Sequence, residues 1–218
     1  MNKKNRPLRV LVTAGPTRAY LDRVRYLSNG SSGRLGYLIC EILAKNGIKV
    51  IAVVGPSEVS FDSLKNISLF KVETVEEMHR TVMQVCKKYS PDFAVLSAAV
   101  LDFTPKTILT GKVSSKNHWN LALVPTPKII DEITIRFPRI KKIAFKLEWK
   151  RPSPKSIKAF GLKNIKDRSA VALCLNYLSD INKTAHPAFL FNHKGGFQKA
   201  KTKQEIAEWI CNYILTTE

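Results

Sequence analysis

Acidic side chains are scarce in this chain: 17 Asp and Glu stand against 36 Lys and Arg in 218 residues, a formal charge of +19. Such an excess invites a nucleic-acid partner. It is densest between Arg136 and Arg168, where twelve basic residues meet only Glu148 and Asp167. That stretch lacks a helix-turn-helix spacing, an aromatic platform and a zinc knuckle, so nucleic acid is the lesser expectation, and small polyphosphates suit the same field. Long apolar runs are missing too. None approaches the roughly 18 consecutive apolar residues of a membrane span, and the polar start from Met1 to Arg6 leads into an apolar strand rather than a signal-peptide core. A cytoplasmic protein without membrane association is expected. Cys40, Cys86, Cys174 and Cys211 lie far apart with no Cys-x-x-Cys pair, and the four histidines form no ligand set. This argues against a disulfide framework or a zinc site, and leaves reduced core thiols and no protein-built metal centre. Repeats, low-complexity segments and linkers are absent, so residues 1–218 are expected to form a single domain.

What is present begins with a β-loop-α-β unit. Leu8 to Val12 is a short, β-branched run punctuated by Gly15-Pro16, which reads as a buried first strand. Leu35, Leu38, Ile39, Ile42 and Leu43 recur at helical spacing until Asn46-Gly47, and Lys49 to Val54 makes a second buried strand. Between strand and helix, Arg25 to Gly36 describes an anion-binding turn. Unpaired N–H groups at the helix start, Ser31 and Ser32 as hydroxyl donors, and glycines such as Gly33 that allow close approach suit a phosphate or carboxylate.

The alternation continues. Asn66 to Val72 reads as a strand, Thr74 to Glu77 as a capping box opening a helix through Val75, Met78, Val82, Val85 and Tyr89, and Asp92 to Ala98 as a fourth strand. Leu101 to Asn117 has neither period and reads as a long functional loop before a Trp119 to Val124 strand. Thr126-Pro127 is expected to cap a helix that runs through Ile130 and Ile133 and stops before Pro138. Ile140 to Phe145 is a strand, Pro154 to Lys166 a helix interrupted by Gly161, Ala170 to Leu175 a strand, and Ala188 to Asn192 the final strand. After the turn at Gly195-Gly196, a second capping box at Thr202 to Glu205 opens a helix presenting Ile206, Trp209, Ile210 and Tyr213. The fold class is therefore α/β: a Rossmann-like, mostly parallel sheet with helices on both faces and a long active-site loop.

The spacing Gly30-x-x-Gly33-x-x-Gly36 alone is weak, because many dinucleotide-binding turns share it. Two absences sharpen it. After the second strand an NAD site places Asp or Glu for the ribose, whereas this chain has Gly55-Pro56-Ser57. No tyrosine has a lysine four residues later, which removes the usual pair of short-chain reductases. A nicotinamide-dependent reductase remains the rival enzyme class, and a basic nucleic-acid-binding module the rival of a different kind.

Five segments together carry a resemblance: Val12-Thr-Ala-Gly-Pro-Thr-Arg18, Val24-Arg-Tyr-Leu-Ser-Asn-Gly-Ser-Ser-Gly-Arg-Leu-Gly36, Ser97-Ala-Ala-Val-Leu-Asp102, Gly111-Lys-Val-Ser-Ser115 and Leu123-Val-Pro-Thr-Pro-Lys-Ile-Ile130. In type and order they resemble bacterial phosphopantothenate–cysteine ligase, in its stand-alone form. The resemblance implies coenzyme A biosynthesis. A nucleotide, expected to be CTP with Mg²⁺, activates the carboxylate of 4′-phosphopantothenate as an acyl-nucleotide, and L-cysteine displaces the nucleoside monophosphate to form an amide. It also implies a homodimer and a flavin-dependent decarboxylase as a separate partner.

By the same resemblance Lys112 meets the nucleotide's phosphates, and Asn29 holds the activated acyl group and its oxyanion. Arg25, Ser31, Ser32, Gly33, Ala99 and Asn176 contact the acid substrate. Ala98, Ala99, Asp102 and Phe145 line the base and ribose, and Lys163 and Lys166 approximate a lysine pair at the triphosphate. Two departures stand out. Where many members read Phe-Ala-Ala-Glu-Thr this chain has Phe145-Lys-Leu-Glu-Trp149, a variant that resembles the stand-alone enzymes and to which contacts at 146–149 do not transfer, and Tyr177 stands where an Asp normally follows Asn176.

Overall fold

The structure is a computed structural model that describes residues 6–217 except 117, 152, 183 and 184; the polar start at residues 1–5 and Asn117 at the loop's end lie outside the described residues. In chain order the strands are β1 (Arg9–Ala14), β2 (Arg18–Tyr20), β3 (Tyr26–Ser28), β4 (Lys49–Val54), β5 (Ile67–Lys71), β6 (Phe93–Leu96), β7 (Phe103–Pro105), β8 (Leu123–Pro125), β9 (Lys141–Glu148), β10 (Ala172–Tyr177), β11 (Ala188–Asn192) and β12 (Phe197–Ala200). The helices are α1 (Arg34–Lys45), α2 (Val75–Tyr89), α3 (Ile129–Arg136), α4 (Pro154–Asp167) and α5 (Lys203–Thr216).

Eight strands form one sheet in the order β12-β11-β10-β9-β6-β1-β4-β5, parallel from β5 to β10 and closed by antiparallel β11 and β12. The period-2 pattern explains the layers. On β1, Val10, Val12 and Ala14 enter the core shared with α1 and α5, while Leu11 enters the one shared with α2 and α3. A third cluster joins Ala144, Leu173, Leu175 and Tyr177 to α4 through Ile157 and Ile165. From β1 the chain winds outward through β4 and β5, then returns to β6 on the other side of β1 and continues to β9 and β10. The two crossovers diverge between β1 and β6, which leaves a crevice at their carboxyl ends. Close packing beside it needs glycine: a Cβ at Gly36 would overlap the Ala14 side chain, so α1 lies directly against β1.

Several expectations are corrected. The strand expected over Trp119 to Val124 is reduced to β8, which pairs with β7 inside the expected loop. Thr126 does not cap α3; Lys128 occupies the N-cap position, and Thr126 instead donates its hydroxyl to the Leu101 carbonyl (2.6 Å) and its N–H to that of Asp102 (2.9 Å). The strand at 140–145 runs on to Glu148, so Phe145 lies within it. The strand ending at Asn192 is not the last, because β12 follows the glycine turn. The capping box at Thr74 is complete; at Thr202 the hydroxyl accepts from the Glu205 N–H (3.1 Å), but the Glu205 carboxylate reaches back to Lys201 instead (2.8 Å). All four cysteines are buried and free, and burial pushes the Cys86 thiol up to about 12. Among the described residues no helix is long and apolar enough to cross a membrane.

Candidate functional site

The crevice is a cleft of about 910 Å³ at the carboxyl ends of β1, β6 and β9. Its wall from Ser97 to Asp102 is held against the extension of β1. The Ser97 hydroxyl donates to the Thr13 carbonyl (2.6 Å), the Ala99 N–H to the Gly15 carbonyl (2.9 Å) and the Leu101 N–H to the Thr17 hydroxyl (3.1 Å). Thr17 is fully buried, so this polar seam is shielded from competing water. The opposite rim is the glycine turn. Asn29 donates both amide hydrogens of Nδ2, one to the Ala99 carbonyl and one to that of Val100, each at 3.2 Å. With its donors spent on the wall, the amide presents Oδ1 as its unspent group and has no N–H left in this arrangement for the oxyanion that the resemblance assigned to it.

The cleft gathers Asn29, Ala98, Ala99, Asp102 and Phe145 from the expected residues, with Gly30 beside Asn29. It also gathers cations that sequence reasoning assigned no role: Lys128, ion-paired with Asp102, Lys146, and Arg168, which is held by the Asn164 side chain (2.5 Å). Lys128 lies in the quoted Pro-Lys-Ile-Ile segment, which was its only signal. Lys146 was visible as a departure from the family pattern. Arg168 had none beyond the basic stretch.

The remaining expected residues lie outside that lining. Gly33 is the N-cap of α1 with φ +75°, left-handed backbone that glycine adopts freely, and no side chain caps the helix. Ser32 sits beside it, accepting from the Arg34 N–H at 3.4 Å, and Ser31 is half-buried. Lys112 is exposed on the long loop, next to a residue that is firmly clamped. The buried Asp22 carboxylate accepts the N–H groups of Val24 (2.8 Å), Arg25 (2.8 Å) and Val113 (3.1 Å) and pairs with the Arg25 guanidinium (2.7 Å). Burial alone would raise its pKa, but these donors hold it below the usual carboxylate range.

Arg25 also donates to the Val113 carbonyl (3.2 Å) and lies over the Trp119 ring, so its guanidinium works as a clamp between hairpin and loop. Asn176 is buried and donates to the Pro187 carbonyl (2.6 Å), tying β10 to the approach to β11. Lys163 is exposed on α4, and Lys166 opens onto a separate hollow with His193 and Lys194. No cluster of three or more His, Cys, Asp or Glu arranged for a metal occurs among the described residues.

A sheet wound in this order, with its cleft at the switch point and cations on the cleft walls, defines a doubly wound α/β protein of the Rossmann-like class. Within that class the chain belongs to the DNA/pantothenate metabolism flavoprotein C-terminal domain family, which it matches over residues 6–217. It is 34% identical over 207 residues to the coenzyme A biosynthesis bifunctional protein CoaBC of Thermococcus kodakarensis, covering 94% of this chain and 50% of that protein. The chain thus spans about half the length of this curated relative. Among solved structures, the DNA/pantothenate metabolism flavoprotein from Streptococcus pneumoniae superposes with a TM-score of 0.85 at 24% identity, covering 97% of this chain and 100% of that one. A Cab2 mutant in complex with phosphopantothenate-cysteine gives 0.73 at 17% identity, covering 96% and 88%. Both likenesses show the fold.

Proposed function

We propose that the chain is a phosphopantothenate–cysteine ligase of coenzyme A biosynthesis, using CTP. One observation carries the reading: Asn29 reaches across to the Ala98–Asp102 wall, so the glycine turn and the β6 loop share one cleft with Lys128 and Lys146. The family match and the half-length relative support the pathway, and the Cab2 complex supports the product class.

In this reading the nucleotide lies along Ala98, Ala99, Asp102 and Phe145, and the acid substrate enters past Asn29, Ser31 and Ser32. An oxygen of the substrate carboxylate attacks the α-phosphorus and pyrophosphate leaves. Negative charge builds on the phosphates during that transfer, and Lys112 is the cation assigned to meet it. The cysteine amine then attacks the acyl carbon: a C–N bond forms, the acyl C–O bond breaks, CMP departs with that oxygen and the amine gives up one proton to solvent, Asn29 Oδ1 being the acceptor assigned to the amine N–H. Magnesium fits as a companion of the nucleotide, because it keeps waters and phosphate oxygens and needs few protein ligands. Asp102, an exposed carboxylate of the wall that is paired with Lys128, would be the protein group to hold the ion, which would supply charge neutralisation.

Purified protein given CTP, Mg²⁺, 4′-phosphopantothenate and cysteine should release CMP and pyrophosphate in equal amounts. No release with any nucleotide, together with a melting point raised by NADPH and not by CTP, would remove the ligase reading.

The partner assigned to the hairpin face is a second copy of the chain. Val24 and Tyr26 on the β2–β3 hairpin, Phe103 on β7, and Ile108, Leu109 and Leu123 are all exposed, an apolar group of the kind that marks an interface. Sedimentation at assay concentration should give a dimer; a monomer fully active at the same concentration would reject it.

A further inference from the structure

We propose that Lys146 is a phosphate-binding cation of the cleft, held in reserve by Glu148, and that the Tyr177 hydroxyl takes over Glu148 when the ligand's phosphate claims the lysine. This rests on reading the cleft as a nucleotide site. Strands β9 and β10 run parallel with Leu175 beside Lys146 and Tyr177 beside Glu148. Residues two apart share a face, so all four side chains share the face that carries Ala144 toward α4. The two departures from the family pattern noted in the sequence are therefore spatial neighbours.

Lys146 lines the cleft, and its Nζ lies 3.2 Å from Glu148 Oε1 with about a third of each side chain exposed. That contact is longer than a strong charge-assisted bond and is screened by solvent, so a polyphosphate can displace the carboxylate at little cost. Lys128 across the cleft is already paired with Asp102.

The second observation is independent of the lysine. Tyr177 is 1% exposed, and its hydroxyl has no hydrogen-bond partner among the described residues. A buried donor left in this state is costly, and such groups in native proteins call for an explanation. Burial raises the phenol pKa, Glu148 and Asp180 raise it further, and Arg151 opposes them; Glu148 is also the register neighbour of Tyr177 on β9. Asp180 is already engaged by the Arg151 guanidinium, through Nε at 3.0 Å and through Nη2. Glu148 is held, among the described residues, by the long contact to Lys146 alone. The ring itself is fixed against Phe189, with centroids 5.9 Å apart. Exchange therefore replaces one loose ion pair and an orphan hydroxyl with a lysine–phosphate contact and a Tyr177–Glu148 hydrogen bond. Lys146 would read the ligand's phosphates, and Tyr177 would position Glu148 without touching the ligand.

Calorimetric titration of the whole chain with CTP and Mg²⁺ tests this. Lys146→Ala and the same-length Lys146→Gln should each weaken CTP by about tenfold or more. Lys146→Arg should restore most of the loss, and the ligand-free melting point should stay unchanged. Tyr177→Phe should weaken CTP a few-fold when Lys146 is present and not at all in the Lys146→Ala background, a coupling that a merely structural tyrosine would not show. Unchanged CTP affinity in both Lys146 variants overturns the proposal. Independent, additive losses at Lys146 and Tyr177 overturn the exchange. A wild-type chain that binds no nucleotide overturns the cleft's reading, and this proposal with it.

Discussion

Replacing Lys112 with Gln is expected, on the ligase reading proposed above, to slow formation of an acyl-cytidylate by about 10²–10³-fold, the usual cost of removing one donor aimed at developing transition-state charge, while leaving the melting temperature where it was. The side chain is exposed and takes part in no ion pair among the described residues, so its loss removes nothing the fold depends on. Position comes from its neighbour, because Val113 is fixed at both its N–H and its carbonyl by Asp22 and Arg25. Asn29→Asp should act on the other half of the reaction. It would set a carboxylate against the Ala99 and Val100 carbonyls that the amide now binds, and conversion of the acyl-cytidylate to amide should fall while its formation is largely spared. Rapid quenching separates the steps: pyrophosphate release without cysteine reports the first, and amide formation from preformed intermediate the second. Equal losses in both half-reactions for both variants would contradict these separate roles.

Asp22→Asn is the substitution expected to damage both fold and site. The carboxylate is a pure acceptor surrounded by three backbone N–H groups and a guanidinium, and an amide in its place turns one acceptor into a donor facing other donors. Removing one side of such a buried pair is strongly unfavourable, and we expect the melting temperature to fall by about 5–10 °C. The segment around residues 106–116 should become cleavable by trypsin. The pH dependence follows from the depressed pKa of Asp22. A carboxylate whose pKa is lower folded than unfolded contributes fully above its unfolded value of about 4 and loses that contribution as pH falls through the folded one. Wild-type loop protection should therefore be flat from pH 5 to 8 and decline only in strong acid, and the Asn variant should lack that decline. Protection lost near neutral pH in the wild type would show that another group holds the loop.

The framework was legible because buried parallel strands and amphipathic helices write their periods over six residues or more. The β1, α1 and β4 unit and α2 with its Thr74 capping box follow from that pattern alone. The site was less so, because the pieces that shape it are three-residue strands. In β2, β3, β7 and β8 no period can be expressed over Arg18–Tyr20 or Leu123–Pro125, and β7 finds its partner β8 only about twenty residues further along the chain. Thr126 was misread for a related reason. It has the chemistry of a helix cap, but a carbonyl 25 residues earlier recruits its hydroxyl. Asn29 was found through its motif, whereas its two carbonyl partners, 70 and 71 residues away, could come only from the fold. Lys166 shows the converse: it approximates one of a lysine pair in the motif, yet it opens onto another hollow.

The antiparallel pair that ends the sheet has a bearing on how the protein behaves in a crowded solution. Strand β12 is an edge whose outer backbone groups could template pairing with another chain, and it is only four residues long, with Lys199 within it and Lys201 just past its end. Charge repulsion between like-facing lysines and the shortness of the strand discourage end-to-end association of sheets, so a lone apolar replacement at Lys199 would expose a sticky margin that the native chain keeps guarded.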